Sequence, residues 1–335
     1  MIPHKDDPLL DERFFLPNIP PVERKIFFKT WVKKVIIESS SYCNRKCHFC
    51  PNSLRTEKKV MDSELFSSII AQLEGVGYDR QVILHLYNEP LAFPEQIVTT
   101  IAAVRRSLPE SYIYFSTNGD FLNRELMCRL VDAGLSAMTV SVHPGRQFKD
   151  TNLLNRFFSL AQRLDVELRF TYYEERVMIM AETVFGHIPI KIRATDFEQR
   201  GSNRGGLMGN VTAPSDRQDP CMLPFEVLTI GYDGSVFPCY NMLAGIEAHE
   251  QHAITRLTPT SSIFDSFAHT NLCKWRRRTF LTGHKLAPCN SCRLDFVKIS
   301  NEQNEIRKYF LERLDHVGNI YSAENGNTFQ RKTEG

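Results

Sequence analysis

Between Lys34 and Arg193 the chain switches repeatedly between two hydrophobic periods. Short β-branched or apolar runs at 34–38, 82–86, 112–116, 137–142, 166–172 and 188–193 read as strands. Stretches with apolar residues at helical spacing lie between them. Asp62 caps the first, which sets Leu65, Ile69, Ile70 and Leu73 on one face, and Ile97, Ile101 and Val104 mark the second. Asn123 starts a third, through Leu126 and Leu130, that Gly134 stops. A fourth covers 153–164, and 177–185 reads as a fifth. Strands alternating with helices require crossover connections, hence a parallel sheet with helices outside it. Lys34 to Arg193 spans 160 residues, against about 250 for a closed eight-unit barrel. The expected fold class is α/β, a partial (β/α)6 TIM-like barrel that stays open.

The flanks differ in character. Residues 1–29 read as a loosely organised N-terminal extension whose packing handles are Phe14, Phe15, Phe27 and Phe28, with Trp31 just beyond. The barrel is expected over 30–205. At 201–220 Gly, Asn, Arg, Pro and Ser accumulate, which marks a boundary. Beyond it, 226–230 and 235–238 flank Gly231-Tyr232-Asp233-Gly234, a hairpin signal. A small domain is therefore expected over 206–300, a helix over 301–321 and a disordered tail over 322–335. The net charge of +2 demands neither a nucleic acid nor a membrane. No signal peptide or membrane-spanning apolar run is apparent. Nine cysteines without an export signal read as metal ligands in a reducing cytoplasm.

Three of those thiols fall within eight residues, Cys43, Cys47 and Cys50, directly after the first strand. Closely spaced thiolates hold iron–sulfur clusters, and three on a four-iron cluster leave one iron open. A zinc knuckle completed by His48 is the competing reading. With Phe49 before the last cysteine, the motif resembles that of radical S-adenosylmethionine (SAM) enzymes, which implies a SAM-binding [4Fe-4S] cluster. Cys221, Cys239, Cys289 and Cys292 could hold zinc or a cluster by count. Twelve residues separate Cys221 from Gly234 and four separate Gly234 from Cys239. That spacing resembles the SPASM and Twitch extensions of the same family. No cysteine follows Cys292, so the shorter Twitch type is implied, a β-hairpin plus helix with a second, auxiliary [4Fe-4S] cluster that is fully ligated.

Other residues gain roles through the resemblance. Tyr87-Asn88-Glu89-Pro90, at the end of strand two, is similar to the family's GGEP motif, with Tyr87 and Asn88 in place of the glycines. Glu89 is implied to bind the SAM ammonium, whereas outside that context it reads as a solvated loop residue. Asn118 and Ser141 end strands three and four, and Ser141 resembles the residue that binds the SAM ribose. Arg169 and Arg193 are candidates for the SAM carboxylate, a substrate or structural ion pairs. Cys128 reads as an inert packing residue. Cys273 reads as packed or as a hydrogen-atom donor, and Arg276-Arg277-Arg278 as a solvated helix face.

The resemblance implies that the chain cleaves SAM to a 5′-deoxyadenosyl radical, which takes a hydrogen atom from an unactivated carbon. Only 42 residues precede Cys43, too few for the leader-recognition domain of peptide-modifying members. A small polar metabolite such as an aminosugar, cyclitol or nucleoside is therefore expected over a ribosomal peptide. Dehydrogenation or epimerisation follows, with a one-electron donor such as flavodoxin or ferredoxin. A non-enzymatic zinc scaffold would explain the cysteines, but not the order strand, thiol loop, helix.

Overall fold

The computed structural model describes residues 11–16, 19–144, 149, 152–209, 217, 220–280, 287–292, 305 and 308–309. Ten strands form one sheet: β1 (Lys34–Ile37), β2 (Gln81–Ile83), β3 (Tyr112–Thr117), β4 (Ala137–Ser141), β5 (Arg169–Glu174), β6 (Met178–Phe185), β7 (Ile188–Thr195), β8 (Val227–Ile230), β9 (Ser235–Phe237) and β10 (Thr255–Arg256). Their spatial order is β10-β9-β8-β1-β2-β3-β4-β7-β6-β5. The six central strands, β8 to β7, are parallel to their neighbours. Antiparallel strands complete both margins. The fold is a mixed α/β partial barrel, as its alternating sequence requires.

The crossover helices are Ser63–Glu74, Pro94–Ser107, Arg124–Asp132 and Leu153–Leu164. Asp62 and Asn123 accept from the Leu65 and Leu126 amides at 2.8 Å, so both expected caps form. Gly134 takes φ +95°, and a Cβ there would sit 2.6 Å from the Arg105 side chain.

Two strand assignments change. Residues 177–185 are not helical, because β6 occupies Met178–Phe185 and pairs along its whole length with β7. Only Gly186 and His187 separate the two strands, a two-residue hairpin turn in which Gly186 takes φ +60°. The 166–172 run, expected as the fifth parallel strand, contributes the antiparallel margin β5. The sixth parallel strand is instead β8, which runs beside β1 from Lys34↔Val227 to Ile37↔Ile230. The sheet thus continues past the glycine-rich segment at 201–220, and the expected β8–β9 hairpin forms beyond it.

The N-terminal region is more ordered than its composition implied. Pro21–Trp31 is a helix, and Phe14, Phe15, Phe27 and Phe28 are fully buried. Their partner is the arginine run, which is not a solvated face. Arg276 is 1% exposed, with its guanidinium 4.4, 4.9 and 5.8 Å from the Phe267, Phe14 and Phe27 ring centres. It donates to the Phe267 and Pro224 carbonyls at 2.8 and 2.9 Å. Aromatic faces and carbonyls together take the place of a carboxylate. Burial pulls its pKa down to about 9. Cys128 is exposed rather than packed. The helix expected at 301–321 and the tail at 322–335 lie outside the described residues, apart from 305 and 308–309.

Candidate active site

The strand order brings the carboxyl ends of β1, β2, β3, β4 and β7 around one cavity of about 560 Å³. That is the face on which barrels of parallel strands carry their chemistry. Cys43, Cys47, Cys50, Tyr87, Asn88, Glu89, Asn118, Ser141 and Arg193 all line it. Nine separate sequence expectations therefore converge on one site.

The thiol loop leaves β1 and is closed at its neck by Ser41 N to Lys59 O (2.8 Å) and Met61 N to Ser39 O (2.9 Å). Below the neck, Glu38 and Arg55 form a fully enclosed bidentate pair at 2.8 and 2.7 Å. Arg55 also donates to Ala244 O and Asn52 Oδ1, and the Tyr87 amide donates to Glu38 at 3.1 Å. One ion pair thereby ties β1, the thiol loop, the Tyr87 turn and the C-terminal segment together. On the outer side, Arg45 pairs with Asp120, and Phe49 stacks on Phe197 with ring centres 4.4 Å apart. His48 is engaged through Nε2 by Glu198 at 3.1 Å.

Burial pushes the Cys47 thiol up to about 12, aided by the neighbouring Cys50 and Cys43, and burial raises those two as well. Gathering three mutually repelling thiolates in an enclosed place is unfavourable unless a cationic centre binds them. The donor set is soft, three-fold and opens onto a cavity, which fits an iron–sulfur cluster with one exchangeable position.

Glu89 is not solvated. It is 2% exposed, and its carboxylate accepts from Thr117 Oγ1 at 2.5 Å, Asn118 N at 2.7 Å and Leu91 N at 3.0 Å. Burial raises its pKa, and the three donors oppose the rise. Its own amide donates to Tyr42 O, which fixes the turn against the thiol loop. Asn88 does part of the work expected of glycine's tight turn, with its side-chain oxygen accepting from Leu86 N at 3.1 Å. Asn118 donates to Asn44 Oδ1 at 2.8 Å. Ser141 and Arg193 are register partners on β4 and β7, so both point to the same face.

Two candidates are placed elsewhere. Arg169 lies on the exposed strand β5, pairs with Glu182 at 2.8 Å, and lines a separate hollow at the amino ends of the strands. Cys273 is 3% exposed in the helix Thr270–Phe280, beside Arg276 and Arg277, and does not line the cavity. The other four cysteines lie near one another: burial raises the Cys239 thiol, aided by Cys289, Cys221 and Cys292, and Asn241 donates to the Cys292 sulfur at 3.4 Å, although among the described residues no three His, Cys, Asp or Glu side chains form a preassembled metal-holding group.

Sequence reasoning missed His85, Tyr114, Arg204 and Tyr240, all of which line the cavity, as does His143 at the end of strand four. His85 and Tyr114 were legible in principle, since both lie on or just beyond strands that were correctly located. Arg204 sits in the irregular segment at φ +50°, where no period announces a side chain's direction.

The signature of the radical SAM superfamily matches residues 37–165, from the end of β1 through the helix after β4. Residues 37–165 thus carry the mark of a radical SAM domain. Proteins similar to this chain include an S-adenosyl-L-methionine-dependent 2-deoxy-scyllo-inosamine dehydrogenase of Niallia circulans. The two are 24% identical over 206 residues, 61% of this chain and 72% of the relative. The fold is similar to that of BtrN in complex with AdoMet and 2-DOIA, with TM-score 0.56 and 21% identity over 74% of this chain and 87% of that one. It is also similar to the open conformation of BtrN, with TM-score 0.52 and 17% identity over 80% and 98%. A radical SAM domain implies an enzyme that uses SAM and a [4Fe-4S] cluster. Among the described residues, no helix is long and apolar enough to cross a membrane.

Proposed function

We propose that this enzyme dehydrogenates a small polar metabolite of the aminosugar, cyclitol or nucleoside-like class, converting a carbinol carbon to a ketone in a biosynthetic pathway. The observation that carries this reading is the cavity itself. It joins Cys43, Cys47, Cys50 and Glu89 in a space suited to a cofactor and a small molecule, and it offers no further thiol. An epimerase needs a hydrogen donor facing the substrate, and Cys273 is packed elsewhere. Similarity to a cyclitol dehydrogenase points the same way.

Cys43, Cys47 and Cys50 would hold the SAM-binding cluster. Together, cluster and SAM supply hydrogen-atom abstraction from an unactivated carbon. The chain's own part is orientation and exclusion of water. Glu89 offers its buried carboxylate to the SAM ammonium, with Tyr87, Asn88, Asn118 and Ser141 shaping the same wall. Phe49, Phe197 and His143 close one side with aromatic faces. Cys221, Cys239, Cys289 and Cys292 would hold an auxiliary, fully ligated cluster of the Twitch type, suited to accept the electron left on the substrate. A flavodoxin or ferredoxin in the cytoplasm would supply the reducing electron.

The test uses anaerobically reconstituted holoenzyme in D2O with a panel of neutral, amino and acidic polyols. A product two hydrogens lighter, with no deuterium at the reacting carbon, is expected from the wild type and from Cys273→Ala alike. Deuterium on an inverted carbon that disappears in Cys273→Ala would establish epimerisation instead.

A further inference from the structure

Charge in the cavity is unevenly distributed. Among the described residues four cations line it, Lys34, Arg45, Arg193 and Arg204, against the single carboxylate of Glu89. Arg45 is neutralised by Asp120, and Glu89, already accepting from Thr117, Asn118 and Leu91, is the carboxylate offered to the SAM ammonium. Among the described residues, Arg193 and Arg204 face the space with no carboxylate partner, while Lys34, at the amino end of β1, also borders the hollow lined by Glu167 and Glu182. Arg193 is the more telling of the two, because its Nε is buried with no hydrogen-bond acceptor. Burial and the neighbouring Arg204 both disfavour its charged form, yet the described residues supply no carboxylate counterion.

A buried guanidinium without an acceptor is costly, and two guanidiniums near each other cost more. Resident groups account for only part of the imbalance. Arg204 lies close enough to Cys50 to lower its pKa, so ligated thiolates balance that charge. It is held by the faces of Tyr87 and Phe197, 5.7 and 5.5 Å from their ring centres. SAM brings one carboxylate but also an ammonium and a sulfonium, so it leaves the cavity cation-rich. An aminocyclitol would add one more positive charge and would find no carboxylate free to receive it.

We propose that the substrate is an anionic polyol, a sugar or cyclitol bearing a phosphate ester or carboxylate, whose anionic group is received by Arg193. Arg193 is positioned by β7, and Tyr114 on β3 and His85 just beyond β2 line the same cavity. Guanidinium is matched to phosphate and carboxylate by charge and by its planar fork. His85 accepts from the Ser116 amide through Nδ1, so its Nε2–H is left to donate to a hydroxyl. The inference deepens the dehydrogenase reading and rests on the assignment of this cavity to SAM and substrate.

The test is equilibrium binding to holoenzyme with SAM present, using myo-inositol, myo-inositol 1-phosphate, glucuronate and scyllo-inosamine as probes. At least one acidic probe is expected to bind tenfold or more tightly than the neutral and amino probes. Comparison of the phosphate with the carboxylate identifies which anion is preferred. Arg193→Gln should erase the preference, and Arg193→Lys should restore part of it, while SAM affinity and iron content stay within twofold of wild type. If no acidic probe binds more tightly than myo-inositol, the proposal is overturned. If Arg193→Gln weakens SAM but not the acidic probe, Arg193 serves the SAM carboxylate and the proposal is equally overturned. Failure of the wild type to retain iron or bind SAM would instead strike the assignment of the site itself.

Discussion

Replacing Arg55 by methionine tests whether one ion pair holds the site's scaffold. The change deletes both contacts to Glu38, together with the 2.8 Å bond to Ala244 O and the 2.9 Å bond to Asn52 Oδ1. Glu38, 0% exposed, would keep only the Tyr87 amide as a donor. Stranding one partner of a buried pair costs about 3–5 kcal/mol. That is a large share of the roughly 5–15 kcal/mol by which domains are stable. Glu38→Gln should cost a similar amount by stranding the guanidinium. The double variant removes both charges, so it should fall well short of the sum of the single losses, with a coupling of about 2 kcal/mol or more. Anaerobic denaturant unfolding of the four proteins, followed by circular dichroism, measures the cycle. Single losses under about 1 kcal/mol, or strict additivity, would refute the argument.

Two further outcomes follow from the cavity walls. Glu89→Gln replaces one of two acceptor oxygens with an amide and removes a charge-assisted contact worth about 1.5–3 kcal/mol. SAM should therefore bind roughly 10- to 150-fold more weakly, with the iron content retained, and unchanged affinity would remove Glu89 from SAM binding. Burial, with Arg193 nearby, pulls His85 down to about 3, below its ordinary value near 6.5. Its stabilising contribution is full above that value and declines as pH falls toward 3, by up to about 1.4 kcal/mol per pH unit. His85→Gln should flatten the loss of stability between pH 6.5 and 4.5, and unfolding curves with identical slopes would count against a neutral buried imidazole.

Features governed by local chemistry were legible in the sequence. The Asp62 and Asn123 caps, the stop at Gly134 and the hairpin turn at Gly231–Gly234 each depend on a few neighbouring residues, and each formed. The cysteine spacing led directly to one wall of the cavity. What stayed hidden depended on distant partners. Met178–Phe185 carries apolar and β-branched residues that suit a strand or a helix, and pairing with β7 decides between them. Arg276 reads as one charge in a basic run until Phe14 and Phe27, some 250 residues earlier, close over it. Arg169 lies on a strand, but that strand forms the sheet margin, so its side chain never reaches the cavity.

The seat of β1 between β2 and β8 has a consequence for synthesis. β1 is complete by Ile37, but its second neighbour is not available until Ile230 has been translated. From the completion of β2 at Ile83 until Ile230 the apolar edge of Val35, Ile36 and Ile37 has a partner on one side only. Such an edge is a hazard for mispairing on the ribosome and a site for chaperones to shield. The cavity wall closes later still, when Tyr240 arrives. The wall that faces the thiol loop is accordingly complete only once the chain has been made as far as Tyr240.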